Sequence, residues 1–182
     1  ARRVGRDVDR ALVAELVAAV ADEPAGLPAL QFTLYELAER SAGDLTLAAY
    51  QELGGLDGAI AARAEALYRS LDDDERRAIR QLFAHLVVVA AEGEPTRRRA
   101  DRAEVVGRPP DAALDAAIDR WAAARLLTLD RDPRTRRPTV EPAHEALLRE
   151  WPRLVAWTEE DREALLVLGR LREASATWVA DG

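Results

Sequence analysis

Apolar residues recur at every third or fourth position along most of the chain, which is the spacing of amphipathic helices. In the first 71 residues this pattern predicts four helices, whose apolar faces are Leu12, Leu16 and Val20; Leu30, Leu34 and Leu37; Tyr50 and Leu53; and Ile60, Ala64, Leu67 and Leu71. Pro24 and Gly26 separate the first two helices, and Pro28 suits the first turn of the second because the N–H that proline lacks is not needed there. Thr46 can cap the third helix, which the Gly-Gly pair at 54–55 ends. This arrangement predicts a small helical bundle.

A second pattern begins at the acidic run 72–75. Asp72 and Glu75 have the spacing of a capping box, and carboxylates favour the first turn of a helix. The apolar face of that helix consists of Ile79, Leu82, Phe83, Leu86 and Val87. The pattern then predicts, in order, an extended segment (96–100), a brief helix (101–107), a longer helix (111–125), a strand (126–130) and, after a turn-rich stretch, a second strand (139–141). This order is typical of a winged helix-turn-helix domain.

The last part of the chain predicts further helices. Pro152 cannot donate to a helical ladder, so it should bend or restart the helix after Trp151. Apolar residues then recur along a final helix at Leu165, Leu168, Leu171 and Trp178. We therefore predict a mainly α protein with a small helical bundle at 1–71, a winged helix-turn-helix domain with a short β-hairpin wing at 72–158, and a C-terminal connector helix at 159–182.

Composition limits where such a chain can work. The 182 residues carry a net charge of -7, which argues against a general binder of nucleic acids or anionic membranes. The absence of Cys excludes disulfides and thiol chemistry and fits a cytoplasmic location. We see no apolar run of membrane-spanning length and no signal peptide. Every basic side chain is Arg, and abundant Ala and Arg indicate a bacterial gene. Without an initiator Met, we expect a segment of a longer chain.

His144 is one of only two histidines, and it lies between a predicted strand and an apolar helix. A helix start offers unpaired N–H groups and the positive end of the dipole, so an imidazole there can lie beside an anion such as a phosphate. Its ordinary pKa of about 6.5 leaves the ring mostly neutral at neutral pH and able to donate one hydrogen bond. The alternative is that His144 only helps to begin the helix.

A winged helix suggests DNA binding, and the helix that would enter the major groove tests that idea. Residues 111–125 carry the carboxylates of Asp111, Asp115 and Asp119 and offer no Asn or Gln for base edges. Arginines at 97–99 and at 134, 136 and 137 could contact phosphates without reading sequence. The sequence therefore argues against sequence-specific DNA binding.

No catalytic or metal site is predicted. The Gly-x-x-x-x-Gly-Lys-Ser/Thr loop is absent, and a chain without Lys cannot supply its phosphate-binding amine, so we expect no ATP hydrolysis by this segment alone. Two histidines without Cys and without a His-Glu-x-x-His pattern leave metal binding unsupported. His85 lies among apolar neighbours, which favours packing or an interface over catalysis.

Three motifs follow one another along the chain: EPAGLPALQ at 23–31, LTLAAYQELGGLDGAI at 45–60 and AHEALLREWPRL at 143–154. Together they resemble bacterial STAND signalling ATPases, specifically the novel STAND NTPase group, which is related to AAA+, NACHT and NB-ARC ATPases. The resemblance covers nearly the whole chain. It implies that residues 1–71 are the helical lid that follows a nucleotide-binding core and that the rest is the winged-helix domain.

The resemblance also implies a set of nucleotide contacts. Residues 26–28 (Gly-Leu-Pro) resemble the Gly-x-Pro motif of the lid, whose proline packs near the bound adenine or ribose. Residues 143–145 (Ala-His-Glu) resemble the Met-His-Asp motif, whose histidine contacts the β-phosphate of ADP and holds the closed resting state; Ala and Glu here replace Met and Asp. The implied cofactor-binding residues are Gly26, Pro28 and His144. ADP or ATP with Mg²⁺ is expected in the parent protein, and no tightly bound nucleotide is expected on the isolated segment.

The implied function is regulatory: the segment closes over ADP or ATP on an upstream P-loop NTPase core and controls an off/on switch and assembly. The implied partners are that core, a downstream sensor domain such as a β-propeller, and further copies of the protein on activation. Two alternatives stay open. One is a winged-helix DNA-binding transcriptional regulator, and the other is a plain protein-interaction module.

Overall fold

The structure, a computed structural model, describes residues 7–21, 26–41 and 43–181. The break predicted at Pro24 lies outside these residues. The first unit consists of four helices: α1 Arg10–Ala21, α2 Gly26–Arg40, α3 Leu47–Glu52 and α4 Gly55–Arg69. Helix α2 packs against α1 and α4, and α3 contacts both α1 and α4. These contacts form the predicted small bundle.

The second unit alternates helices with short strands. Its elements are α5 Asp73–Leu86, β1 Val87–Val88, β2 Thr96–Arg97, β3 Ala100–Asp101, α6 Arg102–Val106, α7 Ala112–Ala123, β4 Leu127–Arg131, β5 Pro138–Pro142, α8 Ala146–Glu150 and α9 Pro152–Glu160. Strands β1 and β2 form one antiparallel sheet, and a second antiparallel sheet has the order β3-β5-β4. The last helix, α10, is Arg162–Asp181. The described chain is thus mainly helical with two small antiparallel sheets.

Helix starts agree with the capping signals in the sequence. The Thr46 side chain accepts a hydrogen bond from the Ala49 N–H at 3.2 Å. Asp72 and Glu75 form both bonds of the capping box, at 2.8 and 2.9 Å. Gly54 separates α3 from α4 with a φ of 79°, in the left-handed region that glycine enters without a side-chain clash. These local signals are confirmed.

The predicted hairpin is also confirmed. Strands β4 and β5 pair in register from Leu127 opposite Pro142 to Arg131 opposite Pro138. The Asp132 carboxylate caps the turn by accepting hydrogen bonds from the N–H groups of Arg134 and Thr135. This side-chain cap stabilises the turn at its place in the sequence. The position of the turn then determines which residues of β4 and β5 pair.

An aromatic cluster joins the two units. Trp151, fully buried, lies within 6.1 Å between ring centroids of four neighbours: Tyr68, Phe83, Trp121 and Trp157. Its indole N–H donates to Glu65 of α4 at 3.0 Å. Because α4 also packs against α8, the bundle and the second unit share one core.

Three details differ from the prediction. Only Leu37 of the predicted α2 stripe is buried, because the covered side of α2 faces α4, whereas Leu30 and Leu34 line an open groove beside α1. Helix α5 ends at Leu86, and Val87 turns into an extended conformation to begin β1. The final helix begins at Arg162, later than predicted, because α9 continues to Glu160.

Candidate functional site

His144 lies between β5 and α8, at the boundary with the bundle. Its side chain is buried, with 9% of the residue exposed. The ring packs edge-on against Phe32 of α2, with 5.2 Å between ring centroids. The imidazole therefore faces the first unit rather than the interior of its own.

A cavity of about 320 Å³ adjoins this ring contact. Helix α2 contributes Pro28, Gln31 and Phe32, and the second unit contributes Ala122, Arg125, Leu127, Thr128, Ala143 and His144. Pro28 and His144, two of the three predicted cofactor-binding residues, thus line one cavity from opposite units. Gly26 is instead buried as the first residue of α2 and is not among the lining residues. Nucleotide contact by any of them stays a prediction.

The protonation of His144 follows from its surroundings. Burial lowers the pKa of the ring below its ordinary value, and the charge of Arg97 acts in the same direction. A hydrogen bond to the backbone carbonyl of Arg125 opposes this shift. The ring is therefore neutral at neutral pH and has a single N–H to donate.

The helix after His144 is too short to attract an anion by its dipole. Trp151 takes an extended conformation before Pro152 and divides the predicted helix into α8 and α9. Helix α8 has only 5 residues, and so few aligned peptide units give a small dipole. The helix start therefore adds little to an anion site beside His144, which would depend mainly on side chains and stays a prediction.

Arg125 is the cavity residue that the sequence analysis missed. It follows α7 with a φ of 60°, which is uncommon for a residue with a side chain. Its guanidinium lies 4.5 Å from the ring centroid of Tyr35 on α2. Both features depend on the folded chain, since a left-handed turn and a cation–π contact between units leave no local sequence pattern.

Arg97 holds the segment that carries His144. Its Nη1 donates to the carbonyls of Pro142 and Ala143, at 3.1 and 3.4 Å, and its Nε lies 3.6 Å from the Glu145 carboxylate. The sequence suggested that Arg97 could contact phosphates. In the structure it instead fixes the chain between β5 and α8.

Several other arginines of the second unit also have internal carboxylate partners. The pairs are Arg98 with Glu104, Arg99 with Glu141, Arg102 with Asp115 and Asp119, and Arg137 with Asp101. Carboxylates on α7, the helix that would read DNA, thus pair with Arg102. Pairing of this kind leaves less basic charge for a phosphate backbone.

His85 lies outside the cavity and packs beside α10. Its Nδ1 is 3.2 Å from Nη2 of Arg172 on α10. Burial, followed by the charge of Arg172, lowers the pKa of His85. Within the described ranges no cluster of three or more His, Cys, Asp or Glu residues could hold a metal ion. No helix in the same part of the chain is long and apolar enough to cross a membrane.

Comparison with known proteins identifies the family. A family model described as Novel STAND NTPase 1 matches residues 1–182. The chain therefore belongs to a family of STAND NTPases. No curated protein and no solved structure matches the chain.

Proposed function

We propose that this chain is the regulatory segment of a STAND-type signal-transduction ATPase. In this proposal residues 1–71 are the helical lid, residues 72–158 are a winged-helix switch domain, and both close over ADP or ATP with Mg²⁺ held mainly by an upstream P-loop core. The observation that carries the proposal is the cavity that Pro28 and His144 line from opposite units. Membership of the STAND NTPase family supports the same role.

The order of elements supports a winged helix in the second unit. Helix α5, strand β3 and helices α6 and α7 precede the β4-β5 hairpin, and β3 pairs with β5. In this arrangement α7 holds the position of a recognition helix. Its carboxylates Asp115 and Asp119 would repel the phosphates of DNA. We therefore propose a winged helix that works as a protein and nucleotide switch rather than as a reader of DNA sequence.

The residues around the cavity fit part of a nucleotide. Pro28 and Phe32 offer apolar faces for a base or ribose, Gln31 and Thr128 can form hydrogen bonds, and Arg125 offers a cation for a phosphate. A volume of about 320 Å³ is near the lower end for ligand pockets. That size suits a nucleotide whose remaining contacts come from the upstream core. The diphosphate of bound ADP would be the negative charge that Arg125 and His144 contact.

The switch requires contacts that exist only in the closed form. A ligand shifts a two-state equilibrium only by its difference in affinity for the two states, and such couplings are typically about 1 to 3 kcal/mol. One or two hydrogen bonds to a charged group supply that much. Phe32 and the Arg125 carbonyl hold the His144 ring in place. Arg125 and His144 both belong to the second unit, so separation of α2 from that unit removes the Phe32 contact alone and leaves the ring less firmly held.

Replacing His144 with alanine tests this proposal in the protein that includes the upstream core. We expect His144→Ala to weaken ADP binding by about tenfold, or about 1.4 kcal/mol, because one contact to a phosphate is lost. Resting signalling activity should rise, since the closed form is populated less. Isothermal titration calorimetry measures the affinity, and the same preparation gives the resting activity.

His85→Ala is the matched control, because it removes the other imidazole of the chain at a position outside the cavity. It should leave ADP affinity unchanged. If His144→Ala also leaves both ADP affinity and resting activity at their parent values, the proposed switch is wrong.

ADP binding should also take up a proton at His144. The neutral ring has a single N–H, and the Arg125 backbone favours the protonated ring, so a phosphate that also accepts a hydrogen bond from the ring favours protonation of both ring nitrogens. The bound anion then raises the pKa of a ring whose pKa is lowered in the free protein. Affinity should therefore be constant at alkaline pH, increase as the pH falls through the pKa of the complex, and level off below the lower pKa of the free ring.

Calorimetry in buffers of different ionisation enthalpy measures this proton uptake directly. His144→Ala should abolish the part that arises at the imidazole. Equal proton uptake by the parent and the variant would assign the linkage to the nucleotide phosphates and contradict the prediction.

The proposal extends to the setting of the segment. We place the parent protein in the cytoplasm, with the P-loop core before this segment and a sensor domain such as a β-propeller after it. Activation would release the winged helix for assembly with further copies. The segment alone would not hydrolyse ATP, because its sequence contains no Gly-x-x-x-x-Gly-Lys-Ser/Thr loop.

A further inference from the structure

A large apolar groove lies between α1 and α2, away from the His144 cavity. It has a volume of about 910 Å³, and its lining is almost entirely apolar. Val13 and Val17 of α1 and Leu27 of α2 are exposed along it. We name this surface the α1–α2 groove. Exposed apolar surface of this extent is typical of an interaction site.

A second uncovered apolar surface runs along α10. Val167, Leu171, Ala174 and Trp178 are all exposed, and their spacing of four, three and four residues places them on one face of the helix. The opposite side of α10 faces the protein through buried Leu165 and through the contact of Arg172 with His85. We name the exposed face the α10 stripe.

We propose that the α10 stripe of one copy of this chain packs into the α1–α2 groove of a second copy. The contact is an amphipathic helix in an apolar groove, in which side chains at helical spacing enter the groove as anchors. One chain carries both the α10 stripe and the α1–α2 groove. Association therefore needs no other protein.

The two surfaces match in length. The stripe from Val167 to Trp178 extends about 16 Å at the rise of an α-helix. The part of α2 that lines the groove, from Leu27 to Glu39, extends about 18 Å by the same measure. The groove can thus accept the whole stripe.

The charges beside the two surfaces are complementary. Glu39 is the one charged side chain among the described lining residues of the groove, and it has no ion-pair partner in the described ranges. Arg170 flanks the α10 stripe, is exposed, and likewise makes no ion pair with any described residue. Neighbouring acids and bases are paired in many other places on this chain. An Arg170–Glu39 pair between copies would orient the helix in the groove.

This contact has a defined symmetry. The stripe and the groove are different surfaces, so a pair of copies joined by one such contact still offers one free groove and one free stripe. Single contacts of this kind grow head to tail into a ring or an open chain, whereas reciprocal contacts close a pair.

A mixing experiment on the 182-residue chain tests the proposal. Val17→Asp introduces a charge into the groove, and Leu171→Asp introduces one into the stripe. Both positions are exposed, so neither change should alter the fold, which circular dichroism and the thermal midpoint verify. By analytical ultracentrifugation, the parent chain should exceed its monomer mass of 20.0 kDa increasingly with concentration. Each variant should raise the apparent dissociation constant by about tenfold or more, because a charge would be buried.

The mixture of the two variants distinguishes this arrangement from others. Each variant retains one intact surface, so together they should form a complex of one copy of each. An interface in which both copies contribute the same surface, groove to groove or stripe to stripe, would give no such rescue. Leu129→Asp, at an exposed apolar position on neither surface, is the control and should associate like the parent.

Charge reversal provides a second test. Glu39→Arg and Arg170→Glu should each weaken association severalfold at low salt, and the chain with both changes should associate like the parent. A parent chain that stays monomeric at every concentration, or variants whose mixture shows no complex, would overturn the proposal. None of these positions lines the His144 cavity, so failure here leaves ADP binding by the parent protein as a separate result.

Discussion

Trp151→Ala is expected to lower the free energy of unfolding by about 3 to 5 kcal/mol. The side chain is fully buried, and it contacts Phe83, Trp121 and Trp157 with ring centroids 5.3 to 5.5 Å apart. Its removal leaves a cavity that rigid neighbouring rings cannot close. It also leaves the Glu65 carboxylate without the indole N–H that it accepts at 3.0 Å. Chemical denaturation followed by circular dichroism measures the loss.

Trp178→Ala is the matched control for this prediction. Trp178 is 79% exposed, so its truncation should change the unfolding free energy by no more than about 0.5 kcal/mol at concentrations where the chain is monomeric. The two variants thus lose the same indole side chain, one from a buried position and the other from an exposed one. If Trp151→Ala has a midpoint and slope within error of the parent, the aromatic cluster is not a shared core.

The aromatic cluster also determines how the two units cooperate. Trp151 belongs to the segment between α8 and α9, yet its polar partner Glu65 lies on α4 of the bundle. Unfolding of either unit would leave a polar or aromatic group of the other without its partner. We therefore expect the chain to unfold in one transition under native-like conditions.

Local features of this fold follow from local sequence. The Asp72–Glu75 box, the Thr46 cap and the Asp132 turn of the β4-β5 hairpin each depend on residues two or three positions apart, so their chemistry is visible without the fold. The restart at Pro152 is of the same kind, because the ring of proline excludes a continuous helical ladder.

Contacts between distant parts of the chain did not follow from the sequence. The spacing of Leu30 and Leu34 identifies a helix face but does not show which neighbour covers it, and both residues line an open groove. Strand β1 was missed because Val87 continues the apolar period of α5. Helical periodicity cannot distinguish the last residue of a helix from the first of a buried strand.

The candidate site, like the fold, contains residues that the sequence identified and residues that it did not. Pro28 was identified by family resemblance and His144 by its position before a predicted helix as well, and the fold brings them to one cavity. Arg125 was missed because its place there depends on a left-handed backbone after α7 and on Tyr35 from the other unit. The charge of Arg97 suggested only that it could contact phosphates. Sequence charge does not reveal the carbonyls of Pro142 and Ala143 that it binds.

Glu65 is expected to make the stability of the chain depend on acid pH. Its carboxylate accepts hydrogen bonds from Arg153 at 2.8 Å, from the Trp151 indole at 3.0 Å and from Arg69 at 3.0 Å. Arg153 contributes most to lowering the pKa of Glu65 from 4.5 to about 2, with the Trp151 and Arg69 bonds adding to it and burial opposing it. The folded state thus binds the proton more weakly than the unfolded state does.

The direction of the pH effect follows from that difference. Stabilisation by Glu65 is fully present above the unfolded pKa of 4.5 and is lost as the pH falls toward the folded pKa of about 2. Glu65→Ala should therefore lower the unfolding free energy at neutral pH by about 2 kcal/mol, a value that allows for solvent screening of a partly exposed carboxylate. Urea denaturation at a series of pH values measures the difference between parent and variant. We expect it to shrink steadily as the pH falls below 4.5.

Glu160→Ala separates this effect from that of an ordinary surface ion pair. Glu160 pairs with Arg80 at 2.9 Å, but its side chain is 59% exposed against 23% for Glu65. It also lacks a contact with a buried indole among its described partners. Its loss should cost at most about 1 kcal/mol. The prediction fails if Glu65→Ala costs no more than Glu160→Ala, or if its cost is the same at neutral pH and at pH 2. Either result would show that the hydrogen bonds of the Glu65 carboxylate to Trp151 and Arg153 do not stabilise the folded chain.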